Sequence, residues 1–240
     1  MSDHATPDFR ATSVSPHGDR ALFTDRSLFT DREAVSERVA AALLKIGAVT
    51  LRPNDPYVWT SGLRSPVYTD NRVTLSHPAV RTLIADSLAR LLREDHPEAE
   101  CIAGAATGGI AHAAWAAERL GLPMVYVRSG AKGHGKQNSV EGRVLPGQRV
   151  AVIEDTVSTG GSVLSVVQSL RDVGAEVRVA AAIFSYGFND SRERLAAAGV
   201  PLLCLTDFSA VVRIAAQSAD FRADEIALLR KFAADPHSLA

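Results

Sequence analysis

Val150-Ala151-Val152-Ile153 is an apolar run that ends in two adjacent carboxylates, Glu154 and Asp155, and continues as Thr156-Val157-Ser158-Thr159-Gly160-Gly161-Ser162 before a helical pattern begins. The apolar run reads as a buried strand. Glycines at a strand-to-helix turn let backbone N–H groups approach an anion. The helix N-terminus adds partial positive charge, and Ser158, Thr159 and Ser162 can donate hydroxyl hydrogen bonds. Together these make a cradle for a monophosphate. On an extended backbone Glu154 and Asp155 point in different directions, so they suit neighbouring sugar hydroxyls better than a paired acid and base. Phosphate with ribose implies a phosphoribosyl group. A helix cap would explain the Gly-Gly pair alone, but not the whole string. Neither Gly-Lys-Ser/Thr nor Gly-x-Gly-x-x-Gly occurs there, which argues against a nucleoside triphosphate or a dinucleotide.

Three more segments carry chemistry. From Arg128 to Arg149 the chain has five basic residues (Arg128, Lys132, Lys136, Arg143, Arg149), His134 and a single acid, Glu141, with glycines between. Glycine punctuation permits the movement a closing lid needs, and the charge suits a diphosphate; a solvated surface loop would have the same composition. Gly104-Ala105-Ala106-Thr107-Gly108-Gly109 is a second glycine-rich turn, able to bind an anion or to bring a helix close to a strand. Trp59-Thr60-Ser61-Gly62-Leu63-Arg64-Ser65-Pro66-Val67-Tyr68-Thr69-Asp70-Asn71-Arg72 reads as turns and short strands.

These segments need elements to hold them. Thr30 and Glu33 have capping-box spacing, and Val35, Val39, Leu43 and Ile46 line one face of a helix over about 31–46. Residues 48–76 read as a small irregular subdomain. Beyond His77-Pro78 helices alternate with strands at 100–104, 124–128, 149–154, 176–184 and 201–205. Helical patterns at about 208–217 and 222–234 close the chain. That alternation predicts an α/β fold, a parallel sheet covered on both faces, with ligands at the carboxyl ends of the strands.

The string from 150 to 162 resembles the phosphoribosyl diphosphate (PRPP) signature of the type I phosphoribosyltransferases. The 128–142 segment is similar to the mobile catalytic loop of the orotate phosphoribosyltransferases, and 59–72 resembles their orotate-side motif. The match covers about residues 31–232. It implies a type I phosphoribosyltransferase-like open parallel sheet flanked by helices, with a small N-terminal subdomain, the hood. The organisation that follows is a poorly ordered tail over 1–30, an N-terminal helix and hood elements over 31–76, and an α/β core with C-terminal helices over 77–240.

The resemblance also implies Mg²⁺-dependent transfer from PRPP to N1 of orotate, giving orotidine 5′-monophosphate and diphosphate in pyrimidine biosynthesis. Lys132, His134, Arg128 and Asp155 become the catalytic residues. PRPP falls to Arg128, Lys132, His134, Glu154, Asp155, Thr156, Val157, Ser158, Thr159, Gly160, Gly161 and Ser162, with the leaving diphosphate at Ala106 and Thr107. Orotate falls to Ser158, Arg64, Tyr68 and Arg72, and Mg²⁺ is held mainly through PRPP. The family's catalytic loop crosses a two-fold interface, so a homodimer is expected. The sequence departs from some orotate enzymes, which carry lysine at the positions of Thr60, Thr107 and Ser129 and an arginine near Tyr186-Gly187; the version here resembles a second branch of the family.

Composition fits that reading. The 240 residues are 46% hydrophobic and carry 26 Lys and Arg against 27 Asp and Glu. Balanced charge gives no global case for nucleic acid or an anionic membrane surface. The two cysteines, Cys101 and Cys204, match neither a zinc site nor a disulfide framework and read as buried thiols in a cytoplasmic protein. Two alternatives stay open: the same enzyme class acting on another base, and a PRPP-sensing regulator that binds RNA or DNA. The direct repeat Leu22-Phe23-Thr24-Asp25-Arg26 and Leu28-Phe29-Thr30-Asp31-Arg32 is too short for a solenoid unit.

Overall fold

The computed structural model describes residues 31–59, 62–128 and 139–236. Helix α1 (Arg32–Lys45) is capped by Asp31, whose side chain accepts the Glu33 N–H. The cap expected at Thr30 is thus corrected by one position, and Thr30 lies outside the described residues, as does the tail before it. Strands β1 (Val49–Leu51), β2 (Tyr57–Val58), β3 (Arg64–Ser65) and β4 (Val67–Thr69) form two small antiparallel pairs, β1 with β4 and β2 with β3. A 3₁₀ helix over Asn71–Ser76 leads to α2 (Pro78–Asp95), which has Pro78 in its first turn, where a missing N–H costs nothing.

The core then alternates: β5 (Cys101–Ala105), α3 (Gly109–Leu120), β6 (Met124–Val127), β7 (Val140–Glu141), β8 (Arg149–Val157), α4 (Gly161–Asp172), β9 (Glu176–Ser185), α5 (Asn189–Ala197) and β10 (Leu202–Asp207), followed by α6 (Phe208–Gln217) and α7 (Ala223–Ala234). Six strands form one sheet in the order β10-β9-β8-β5-β6-β7. All neighbours are parallel except β6 and β7. Two residues of β7 show no periodicity, so the antiparallel edge was invisible in the sequence. β8 runs to Val157, three residues beyond expectation, because Thr156 and Val157 pair with Phe184 and Ser185 of β9.

Each face of the sheet has its own core. Ala151 and Ile153 pack with α1, α2, α3 and α6, whereas Val150 and Val152 pack with α4. Strand alternation carries this pattern forward, placing Glu154 on the α4 face and Asp155 on the α3 face. Cys101 is buried; Cys204 is half-buried on the edge strand, and burial pushes its thiol up to about 12. Among the described residues no helix is long and apolar enough to cross a membrane.

Candidate active site

The carboxyl end of β8 is the centre of the site. Glu154 is only 5% exposed. Its carboxylate accepts the Asp155 N–H at 3.1 Å and the Ser162 hydroxyl at 3.0 Å. Burial, reinforced by the neighbouring Asp155 carboxylate, pushes its pKa up to about 8. The side chain therefore faces inward and ties the strand to the first turn of α4. Asp155 faces the opposite way: a Cβ on Gly108 would come within 2.3 Å of its carboxylate, and one on Gly109 within 2.4 Å of the Ile153 carbonyl oxygen. No side chain fits between the 106–109 turn and the end of β8. Close packing of helix on strand holds at this second glycine turn, since a Cβ on Gly104 would also sit 3.0 Å from Ala113 Cβ on α3.

Helix α4 starts at Gly160, which adopts φ +77 and makes no side-chain cap. Only glycine takes that conformation without strain, and the first N–H groups of α4 are left without a side-chain partner. The Arg194 guanidinium holds the Thr159 carbonyl at 3.2 Å. Thr159 and Ser162 are exposed, Thr156, Ser158 and Gly161 are half-buried, and Val157 is buried. Thr107, joined to Ala106 by a cis peptide bond, is exposed opposite them.

Of the residues expected to face a base, Arg64 and Tyr68 come from the small strand pairs and Arg72 from the 3₁₀ helix that follows them. Arg64 is exposed on β3, and Tyr68, 46% exposed on β4, stacks against Tyr57 with ring centroids 5.4 Å apart. Arg72 makes a two-pronged ion pair with Asp70 at 2.7 and 2.9 Å, which holds the Asp70 carboxyl below its ordinary range. Trp59 packs edge-on against Tyr186, 5.0 Å between centroids, and beside Phe188. That aromatic contact pins the hairpin over the end of β9. A cavity of about 610 Å³ lies beside it, lined by Trp59, Leu63, Thr159, Gly187 and Phe188 together with the end of α7.

Arg128 stands at one base of the 128–142 segment, its N–H on the Ser139 carbonyl and its guanidinium 3.0 Å from Glu141. Lys132 and His134 lie outside the described residues. The fold thus gathers the 154–162 turn and the 106–109 turn at one end of the sheet, with Arg64 and Tyr68 on the adjoining small strands and Arg72 on the 3₁₀ helix after them.

Sequence reasoning missed Asn71. It is 0% exposed, and its side-chain amide donates to the Asp155 carbonyl at 2.7 Å and to Thr156 Oγ1 at 2.9 Å. Its one signal was its place between Asp70 and Arg72 at the end of the 59–72 motif, where the charge of Arg72 is the more conspicuous feature. As for a metal, among the described residues no group of three or more His, Cys, Asp or Glu side chains stands together. Asp155, turned towards the glycine turn, is the carboxylate whose placement fits an ion brought in by a diphosphate substrate.

Residues 74–201 match the model of the phosphoribosyl transferase domain. The orotate phosphoribosyltransferase of Bacillus caldolyticus is 50% identical over 198 residues, which span 82% of this chain and 96% of that protein. The crystal structure of orotate phosphoribosyltransferase from Aeropyrum pernix superposes with a TM-score of 0.68 at 33% identity, covering 75% of this chain and 99% of that one. Leishmania donovani UMP synthase gives 0.73 at 25% identity, over 84% of this chain and 43% of that longer one. The chain belongs to the phosphoribosyl transferase domain family and, within it, to the orotate phosphoribosyltransferases.

Proposed function

We propose that this chain transfers the 5-phosphoribosyl group from PRPP to N1 of orotate, giving orotidine 5′-monophosphate and diphosphate in pyrimidine nucleotide synthesis. The single observation that carries the reading is the end of β8: an outward Asp155 carboxylate, an uncapped glycine-led start of α4, and a second turn pressed against both.

Loss of diphosphate from the anomeric carbon builds positive charge on the sugar and negative charge on the leaving group. Catalysis therefore lies mainly in electrostatic stabilisation. The 156–162 turn grips the 5′-phosphate through main-chain N–H groups and hydroxyls, and Asp155 takes a ribose hydroxyl while its charge favours the developing cation. Glu154 acts from behind: its inward carboxyl fixes the Asp155 N–H and Ser162, so its share in binding ribose requires that side chain to turn outward. Ala106 and Thr107 face the leaving diphosphate, Arg128, Lys132 and His134 meet its charge, and Ser158, Arg64, Tyr68 and Arg72 face orotate. Mg²⁺, arriving with PRPP, would neutralise diphosphate charge beside Asp155.

The enzyme works as a homodimer in which Lys132 of one chain serves the site of its neighbour. The two free cysteines are in keeping with a reducing, cytoplasmic setting. Diphosphate release from PRPP and Mg²⁺, measured with orotate, uracil, adenine and no base, tests the activity. Release with orotate alone is expected, and release with another base in its place would overturn the substrate assignment. Mixing Lys132→Ala with Asp155→Asn under subunit exchange should restore roughly one quarter of wild-type activity by symmetry. No recovery despite exchange would place the loop in its own chain's site.

A further inference from the structure

Asn71 belongs to the 3₁₀ helix on the base side, yet both hydrogens of its amide go to the end of β8, 84 and 85 residues away. The orientation of that amide follows from chemistry, because the Asp155 carbonyl can only accept and must face the NH₂ end. Asn71 Oδ1 is buried and has no partner among the described residues, which hold the amide from its donor side.

Behind it the chain of bonds continues. The Thr74 hydroxyl donates to the Asn71 main-chain carbonyl, and Thr74 Oγ1 lies 3.2 Å from His112 Nε2. Having given its one hydrogen to Asn71, Thr74 accepts from His112, which puts the ring proton on Nε2. His112 Nδ1 is then the acceptor nitrogen, buried with no partner among the described residues, and burial pushes the ring's pKa down to about 4. The imidazole is neutral and all of these donors point one way: from α3, through the base-side 3₁₀ helix, to the Asp155-Thr156 peptide.

We infer that Asn71 is a positioning residue: backed by Thr74 and His112, it holds the Asp155-Thr156 peptide from the base side and so aims the PRPP-binding carboxylate and turn. This inference rests on the proposed function, which makes Asp155 and the 156–162 turn the PRPP contacts. Rigidity here has a specific consequence. A displaced Asp155 peptide misdirects both the carboxylate before it and the phosphate-facing turn after it, whereas Arg64 and Tyr68, on separate short strands, do not hang on those two bonds; Ser158 is the one proposed orotate contact within that turn. Placement errors of this kind act on productive substrate geometry even when the fold survives.

Saturation kinetics on Asn71→Ala, Asn71→Asp, Thr74→Val and Thr74→Ser, with Tm recorded for each, test this. Asn71→Ala should raise the KM for PRPP about tenfold while the KM for orotate stays within about twofold, the scale expected for losing two modest hydrogen bonds. Asn71→Asp, which sets an acceptor against the Asp155 carbonyl, should do at least as much. Thr74→Val should raise the PRPP KM about threefold and Thr74→Ser should restore it, since only the hydroxyl is at stake. A purely structural role would lower Tm and the active fraction with both KM values unchanged, and that result would overturn the inference. If Asn71→Ala does not fold, the Thr74 pair decides: equal PRPP KM values for Val and Ser refute it. Should wild type release no diphosphate, the catalytic reading falls by itself. Asn71 is then judged by calorimetric affinity of the same variants for Mg²⁺ and PRPP, weakened about tenfold or refuted.

Discussion

The two sides of the proposed site, one for the phosphoribosyl group and one for the base, are built by different physics. At the end of β8 the backbone is bonded on all sides: Glu154 is buried and occupied by two donors, Asn71 holds the next peptide, and two glycines lie so close that a single methyl group collides. On the proposed base side Arg64 and Tyr68 project from strands of two and three residues, and Arg72 pairs with Asp70, two residues back. One half is rigid because a central parallel strand and two helix starts converge on it. The other is a pair of two-stranded sheets whose hold on the core comes through Val49 and Val67, the Trp59-Tyr186 contact and Asn71. A single chemistry, transfer of one sugar phosphate, suits the first construction, whereas the second leaves room for the base to be chosen.

The sharpest test of that contrast is Gly109→Ala. Its Cβ would meet main chain rather than a flexible side chain. Overpacking of this kind costs about 1–3 kcal/mol, and the resulting shift of the glycine turn should lower kcat/KM at least about a hundredfold. A variant with wild-type Tm and activity would show that the two turns separate freely.

Glu154→Gln comes next and reads the buried carboxyl by pH. With a folded pKa raised from 4.5 to about 8, the group stays protonated in the fold while the unfolded chain loses its proton earlier. Its contribution to stability is thus fully present below about pH 4.5 and is lost as pH rises towards 8. The Tm advantage of Glu154→Gln over wild type should therefore grow by several degrees between about pH 5 and 8.5, on the order of a kcal/mol or more. A gap independent of pH would mean that Glu154 is ionised in the fold.

Gly62→Ala probes the base side in the same manner as Gly109→Ala. Gly62 has φ +84 with open space around it, so the cost is backbone strain alone, about 1 kcal/mol, and activity should fall far less than in Gly109→Ala. Comparable losses in the two variants would erase the distinction between the sides. The smallest effect on stability belongs to Tyr68→Ala and Arg72→Ala, whose Tm should stay within about 2 °C of wild type because exposed contacts contribute little. Their effect should fall on the KM for orotate, and an unchanged value in both would remove them from the base site.

The sequence by itself determined the order of the helices and of the five parallel strands between α1 and α7, because apolar periodicity is a property of short runs of consecutive residues and survives whatever they pack against. It also placed the carboxylates, hydroxyls and glycines of Glu154 to Ser162 within one strand-to-helix turn. What only the tertiary structure decided was direction and partnership. Alternation predicted that Glu154 and Asp155 diverge, but that the inward one is Glu154, with a pKa near 8, depends on α4 covering that face of β8. The antiparallel β7 depends on the register of two residues against β6. Asn71 reaches Asp155 across 84 residues because the 3₁₀ helix and the end of β8 lie side by side, and no local pattern encodes a bond whose partners meet only after the sheet has formed.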